Sequence, residues 1–338
     1  MEEMNQVVLK NALTKMLGEN ITAADYQRKK LQGGTVGEVW LVTGMAKASG
    51  ERQLPYKIVL KTQEKWERFG DPGSWRREYD LYSSDLGDCF SKELSWPKCY
   101  HAEMNEEENE THLWMEYVDG VTGLALSEDM YERAAYELGK FQGRLFAEKP
   151  SILDKITNLS NREFIKNYYQ RYRSWKVVYD YIRSENCEIP KHLCDMLIDM
   201  DDQAEAIFEG IEALPLVLCH RDFWVANIFS SDEKIRLIDW DTTGWGHMGE
   251  DLASLIADES EVDAMVSLYQ RCVPAYAKGF SEYTDISHMK NLFIWERIVL
   301  MFGYRIVEWY LDGESVAEKK YQIATLQKIY EMEQCQTR

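Results

Sequence analysis

Residues 216–241 restrict this chain more than any other stretch. Leu216-Val217-Leu218-Cys219 is an apolar run that ends in His220-Arg221-Asp222. Four residues then lead to Asn227, followed by the apolar runs Ile228-Phe229 and Ile235-Arg236-Leu237-Ile238 and by Asp239-Trp240-Asp241. Short apolar runs separated by turn residues read as strands. If the last two pair as a hairpin, Asn227 and Asp239 meet at one end. Asp239 would then leave a charge at the end of a buried strand, where it needs a partner or a metal. An isolated H-x-D is usually a cap or turn. Four polar residues in register with apolar strands demand more.

The pattern H-R-D-x-x-x-x-N, strand, turn, strand, Asp is the catalytic-loop layout of kinases. Asp222 would lie beside an attacking hydroxyl and take its proton, acting mainly by positioning. Asn227 and Asp239 would ligate magnesium, which prefers oxygen ligands and is usually held by one or two carboxylates plus phosphates. His220 would brace the loop through hydrogen bonds. A metal-dependent hydrolase built on His220 and Asp222 is a rival reading, but no further His or carboxylate cluster has ligand spacing.

Composition narrows the partners. The formal net charge is −19, which argues against nucleic acid, since nucleic-acid binding needs a basic surface. It favours cationic small molecules, although an acidic surface for solubility accounts for it as well. No apolar run reaches the length of a membrane span, and the acidic start lacks the pattern of a secretory signal. Seven cysteines, an odd number without C-x-x-C, fit unpaired thiols in a reducing cytoplasm. Zinc is not expected.

Periodicity divides the chain. Residues 5–17 have helical spacing, and 26–31, 36–43 and 56–62 read as strands, with Gly33-Gly34-Thr35-Val36-Gly37 joining the first two. A helix is expected at 74–87, with charge on one side and Tyr79, Tyr82 and Leu86 on the other. Strands at 96–103 and 112–118 flank an acidic hairpin loop at 105–110. After Asp119-Gly120 the pattern becomes helical, at 128–147, 161–184, 190–212, 249–259, 261–280, 287–311 and 314–334, interrupted by the strand-rich 215–240. The expected fold is α+β and bilobal: a small strand-rich lobe with its hinge, 1–118, and a larger helical lobe, 119–338, carrying the catalytic loop and acceptor site.

On these motifs the chain resembles the aminoglycoside phosphotransferase and choline kinase group, a branch of the protein-kinase-like fold. The resemblance is specific mainly at 33–78, 112–120 and 216–252, and it implies ATP or GTP as donor with Mg2+. Lys61, closing Lys57-Ile58-Val59-Leu60-Lys61, matches the lysine that touches the α- and β-phosphates, with Glu78 as its partner. Lys57 is a rival on the same strand face. Gly34 and Thr35 match a phosphate-approaching loop without the G-x-G-x-x-G form, and a plain hairpin turn explains the glycines nearly as well. Met115, Glu116 and Val118 resemble the inter-lobe hinge, with backbone groups of Glu116 and Val118 meeting the adenine edge. Asp251 is expected to be structural, an N-cap in the plain reading. Arg221 resembles the protein-kinase form. Glu250, however, follows Asp239 by only eleven positions and no A-P-E is present, so a peptide acceptor is disfavoured.

The acceptor side is marked less sharply. Trp175, Trp224, Trp240, Trp245, Trp295, Tyr304 and Trp309 supply aromatic faces of the kind that bind amines by cation–π attraction. Trp295, Val299, Phe302, Ile306 and Trp309 form a stripe that reads as core. The candidates are Asp241 and Trp245, close behind Asp239, and Glu296, Tyr304 and Glu308, off the stripe. The expected activity is ATP- and Mg-dependent O-phosphorylation of a small, aminoglycoside-like hydroxyl compound. A choline- or ethanolamine-type kinase is the alternative, and a regulatory pseudokinase the alternative from another class.

Overall fold

Alternating burial along two long neighbouring strands builds the first layer. The computed structural model describes residues 5–31, 37–66, 68, 70–160, 166, 176–289 and 291–336. Helix α1 (Gln6–Leu17) is capped by the Asn5 side chain and ends at Gly18, whose φ of 69° is the left-handed conformation a glycine C-cap adopts without strain. Strands β1 (Ile21–Ala24) and β2 (Gln27–Lys30) both pair with β3 (Glu38–Ala48), and β3 pairs with β4 (Gln53–Glu64). Helix α2 (Ser74–Tyr82) and the short strand β5 (Leu94–Ser95) precede β6 (Cys99–Asn105) and β7 (Glu110–Glu116). The main path of the sheet is β1-β3-β4-β7-β6, antiparallel throughout. Tyr56, Ile58 and Leu60 face a core shared with Leu9, Ala12 and Leu13 of α1. By the same two-residue period, Lys57 and Lys61 face the other way.

Helix α2 corrects the expectation of a charged outer face. Its buried residues are Ser74, Trp75, Arg77, Glu78 and Leu81. Arg77 and Glu78 lie inward because each is paired there, alongside Tyr82 and Leu86 of the apolar stripe, whereas Arg76 and Asp80 pair nearer the surface. The helix also stops at Tyr82 and gives way to a tight turn over Asp85–Cys89.

The second lobe is helical around a small set of strands. Strand β8 (Val121–Thr122) leads into α3 (Glu128–Glu148), followed by α4 (Lys176–Ile182), α5 (Lys191–Asp202) and α6 (Ala204–Glu212). The single helix expected at 190–212 breaks at Gln203, whose φ of −99° and ψ of 0° leave the helical region. Of the helix expected at 161–184, residues 161–165 and 167–175 lie outside the described residues. Strand β9 (Leu216–Cys219) pairs with β12 (Gly244–His247), and β10 (Ile228–Ser231) with β11 (Lys234–Leu237). The β10–β11 turn has Asp232 and Glu233 both at positive φ, as a tight two-residue hairpin requires.

Helices α7 (Glu250–Ala257), α8 (Met265–Ser281), α9 (Ile294–Ile298), α10 (Tyr304–Asp312) and α11 (Val316–Gln336) complete the lobe. A π-turn over Val299–Gly303 joins α9 to α10. Its wider turn shifts the helical phase. Trp295, Val299, Phe302 and Ile306 are therefore core as expected, but Trp309 turns out to solvent and lies under Arg305. None of the described helices is long and apolar enough to cross a membrane.

Helices α3 and α8 approach through glycines. A Cβ added at Gly139 would stand 2.2 Å from the Tyr276 carbonyl, and one at Gly279 would stand 2.1 Å from that of Tyr136. Backbone cannot yield as a flexible side chain does. Gly139→Ala is therefore expected to destabilise the protein by roughly 1–3 kcal/mol or more, read as a lower midpoint in urea unfolding.

Candidate active site

The loop after β9 is held by its backbone. Asp251, in the first turn of α7, accepts from His220 N at 2.9 Å, from Arg221 N at 2.7 Å and from Gln142 Nε2 at 3.0 Å. The cap of α7 is Gly249, so Asp251 is structural as expected, but as the anchor of the loop and not as an N-cap. Gln142 passes the network on through Oε1 to Tyr276, whose hydroxyl accepts from Gly249 N. Arg221 sits at φ 66°. Its buried guanidinium reaches Glu250 at 2.8 Å, Ser160 Oγ at 2.5 Å and the Trp245 carbonyl at 2.6 Å. A guanidinium so engaged is committed to the fold.

His220 does brace the loop. Its Nδ1 accepts from Asp222 N at 3.3 Å, and its Nε2 donates to the Ile238 carbonyl at 3.0 Å. That pattern requires the neutral ring, and burial pulls its pKa down to about 4. His220 thereby ties the loop to the strand that delivers Asp239.

Asp222 and Asn227 come together. Asn227 Nδ2 donates to the Asp222 carbonyl at 2.9 Å and to its Oδ2 at 2.7 Å, leaving the amide oxygen to point elsewhere. Burial raises the Asp222 pKa to about 6, and the negative charge of Asp239 adds to this. Hydrogen bonds from Asn227 and Trp224 work in the opposite direction.

Across the cleft, Lys61 Nζ lies 2.5 Å from Glu78 Oε2 and 2.7 Å from Asp239 Oδ1. Burial alone would discharge the ammonium, but Asp239 and Glu78 together hold its pKa above the ordinary value. The Lys61 charge in turn keeps Asp239 below the ordinary carboxylate range. Asp239 itself adopts φ 65°. Trp240 behind it is buried against Phe90, Trp96 and His220, with its indole N–H on the Leu237 carbonyl. Lys57 instead pairs with Asp119 at the surface and stacks on Tyr117. Of the two lysines, Lys61 is the one brought to the strand ends.

Met115 is buried at the end of β7. The Glu116 N–H is spent on the Lys98 carbonyl at 2.8 Å, so only its carbonyl could serve an adenine edge there. Gly34 and Thr35 lie outside the described residues.

The acceptor candidates do not gather. Asp241 is buried, pairs with Arg68 at 3.1 Å and feels the charges of Asp239, Lys61 and Glu78, which puts it on the lysine side of the cleft. Trp245 is half-buried on β12. Glu296 accepts from Asn291 and lines a cavity of about 610 Å³ with His192, Asp199, Tyr330 and Glu333, which includes no residue of the catalytic loop. Tyr304 is buried beside Arg183, which pairs with Asp201. Glu308 lies near Arg305 and Asp312. Trp175 is outside the described residues. Asp258 was missed by sequence reasoning. It ends α7, is raised to about pKa 6 mainly by burial, lies 3.8 Å from Arg305 and acts electrostatically on Asp222. Trp224 is the aromatic side chain whose influence lowers the Asp222 pKa. Its place two residues after Asp222 was the available signal.

A two-lobed architecture with Lys–Glu–Asp across the cleft and Asp–Asn on the loop defines a kinase-like protein. A family model described as the phosphotransferase enzyme family (APH) matches residues 84–283, more than half of the chain, and the protein belongs to that family. It is a phosphotransferase with a kinase-like fold. Its fold is similar to that of APH(2'')-IIIa in complex with GDP and kanamycin, at 15% identity and TM-score 0.53, covering 96% of this chain and 97% of that one. It is similar too to a choline kinase from Cryptosporidium parvum, at 15% identity and TM-score 0.52, covering 91% and 89%. The amicoumacin kinase hAmiN with AMP-PNP, Ca2+ and Ami gives 13% identity and TM-score 0.53, covering 90% and 87%. No curated protein matches the sequence.

The loop anchor gives a direct test. Asp251→Asn retains one carboxamide oxygen for three buried donors, so at least one donor meets an NH2 group. The variant should lose about 1–3 kcal/mol of unfolding free energy in a denaturant titration.

Proposed function

We propose that the protein transfers the terminal phosphate of ATP, with Mg2+, to a hydroxyl of a small amine-bearing acceptor. The observation that carries this reading is the Asp222 carboxylate, held by Asn227 and Trp224 beside the Lys61–Asp239 pair. In this reading Asp222 orients the acceptor hydroxyl and takes its proton late, when the oxygen has become acidic. Lys61, fixed by Glu78, orders the α- and β-phosphates. The backbones of Glu116 and Val118, in front of Met115, receive the purine, and Gly34 and Thr35, outside the described residues, keep the phosphate-loop role that the resemblance implies. Residues 1–118 hold the nucleotide, and 119–338 carry the loop and the acceptor side.

Asp239 and Asn227 fit a divalent cation. Both are oxygen donors, and burial with crowded negative charge raises Asp222 and Asp241 in a way a cation would relieve. No set of three acidic, histidine or cysteine side chains forms a metal cage among the described residues. A pair of protein ligands is nonetheless what Mg2+ uses when phosphates complete its shell. When bound, Mg2+ would neutralise phosphate charge and align the terminal phosphate.

Neighbouring proteins of this fold were solved with GDP or AMP-PNP, and one of them with kanamycin. This supports a purine nucleotide, with GTP as the alternative to ATP, and an aminoglycoside-like acceptor ahead of a choline-type one. Trp224 and the Asp222 and Asp258 carboxylates supply an aromatic face and negative charge for an ammonium group. The described cysteines are all free, which fits a cytoplasmic protein.

Asp222→Asn should lower kcat by about 10²–10⁴-fold while changing Mg·ATP affinity little in calorimetric titration. A large loss of nucleotide affinity would place Asp222 at the metal instead. Asp239→Ala should weaken nucleotide binding in Mg2+ and activity together, by tenfold or more on the order of a lost charged contact. Full activity at limiting Mg2+ would transfer that role to Asp241. Phosphate transfer from labelled ATP should be seen with aminoglycosides or amino alcohols in a panel that also holds neutral sugars, nucleosides and casein. Transfer confined to the latter three would reject the amine-bearing acceptor.

A further inference from the structure

We propose that Arg68 is a second protein cation of the phosphoryl-transfer site, contacting the terminal phosphate of the bound nucleoside triphosphate. The inference rests on the kinase reading above and adds a residue to it. It starts from which cations near the site still have donors to give. Lys61 is divided between Glu78 and Asp239. Arg77 is 1% exposed and spends itself on Asp71, the Asn158 carbonyl and the Asp241 carbonyl. His220 is neutral, as its hydrogen bonds require. Arg68 donates only Nη2, to Asp241 Oδ2 at 3.1 Å, among the described residues. Its side chain is 26% exposed. The remaining guanidinium donors form the fork that suits a phosphate.

Arg68 is also held in place. Its carbonyl accepts from Asp71 N at 2.9 Å. The Asp71 carboxylate is gripped by both terminal nitrogens of Arg77, at 2.5 and 2.8 Å, and Arg77 Nη1 reaches the Asp241 carbonyl at 2.5 Å. With the Arg68–Asp241 pair this closes a circuit between the segment after β4 and the turn after Asp239. The Trp66 ring lies against the guanidinium, 4.8 Å from its centroid. The circuit lies on the lysine side of the cleft: Arg77 adjoins Glu78 in α2, and Asp241 follows Asp239 by two positions. Arg68 is also among the charges that favour ionised Asp239. A second guanidinium donor there would offset charge on the phosphate oxygens during transfer.

The competing role is a brace for Asp241, and the two roles predict different nucleotide selectivity. The full chain, as wild type, Arg68→Ala and Asp241→Asn, is titrated calorimetrically with a non-hydrolysable ATP analogue and with ADP, both in Mg2+, and thermal midpoints are recorded. Arg68→Ala should lose about tenfold in affinity for the analogue and under threefold for ADP. Asp241→Asn, which keeps the guanidinium, should retain the preference for triphosphate. Equal losses for both nucleotides in Arg68→Ala, or the same pattern in Asp241→Asn, would reduce Arg68 to a brace and overturn the proposal. If Arg68→Ala does not fold, Arg68→Lys keeps the charge and loses the fork. An unchanged triphosphate-to-diphosphate ratio in it overturns the proposal, and a ratio lowered about threefold sustains it. A wild type that binds neither nucleotide removes the kinase reading and this inference together.

Discussion

Lys61 is the point on which the two lobes agree. It is carried by β4 in the first lobe, pairs with Glu78 of α2, and reaches Asp239 beyond β11 in the second. Lys61 and Glu78 are largely withdrawn from water and Asp239 is half-buried, so the two buried charges are tolerable only while they are paired. Burial raises the proton affinity of Glu78 and the charge of Asp239 adds to this, while Lys61 lowers it and keeps Asp239 ionised. A site in that condition is short of positive charge before any nucleotide enters.

The catalytic loop is organised by the same logic at shorter range. Arg221 and Asp239, both at positive φ, mark the two places where the backbone is bent into a conformation that non-glycine residues seldom adopt. Each is over-determined by neighbours. Asp251 collects the His220 and Arg221 amides, while His220 and Trp240 fix the approach to Asp239 from behind. The strain is thus offset by hydrogen bonds that do not depend on ligand. Arg221 is part of the same support. Its engagement with Glu250 leaves it no donor role in the cleft, which fits a chain whose segment from Asp239 to Glu250 is short.

Much of this was legible in the sequence, for a physical reason. The strands and most helices follow from apolar spacing, and His220, Asp222, Asn227 and Asp239 stood out because polar residues fell at the ends of apolar runs. The exceptions have their own causes. Helix α2 buries Arg77 and Glu78 beside its apolar residues, because their partners come from far away in the chain, and spacing alone did not mark Arg77 as inward. Trp309 left the core because a π-turn shifted the phase within an otherwise regular stripe. Asp258 was missed because a carboxylate at a helix end looks like any surface residue until Arg305 is folded beside it. The acceptor side was the least legible part, since its members come from separate elements with no shared spacing.

That separation also changes what the overall charge means. A net charge of −19 seems to promise an acidic pocket, yet the buried carboxylates around the cleft are mostly matched. Asp241 has Arg68, Glu78 has Lys61, Glu250 has Arg221 and Asp258 has Arg305. The excess of acid is carried largely by exposed stretches such as Glu106-Glu107-Glu108. Long-range attraction of a cation by that surface is screened within about 8 Å at physiological salt. If the acceptor carries an amine, as proposed, selectivity for it would therefore arise locally. Among the described residues Asp222 has no cationic partner, and Asp258 is paired only loosely, across 3.8 Å. On the proposed reading, an amine that took Asp258 would compete with Arg305, which already rests on Trp309 and would keep that contact.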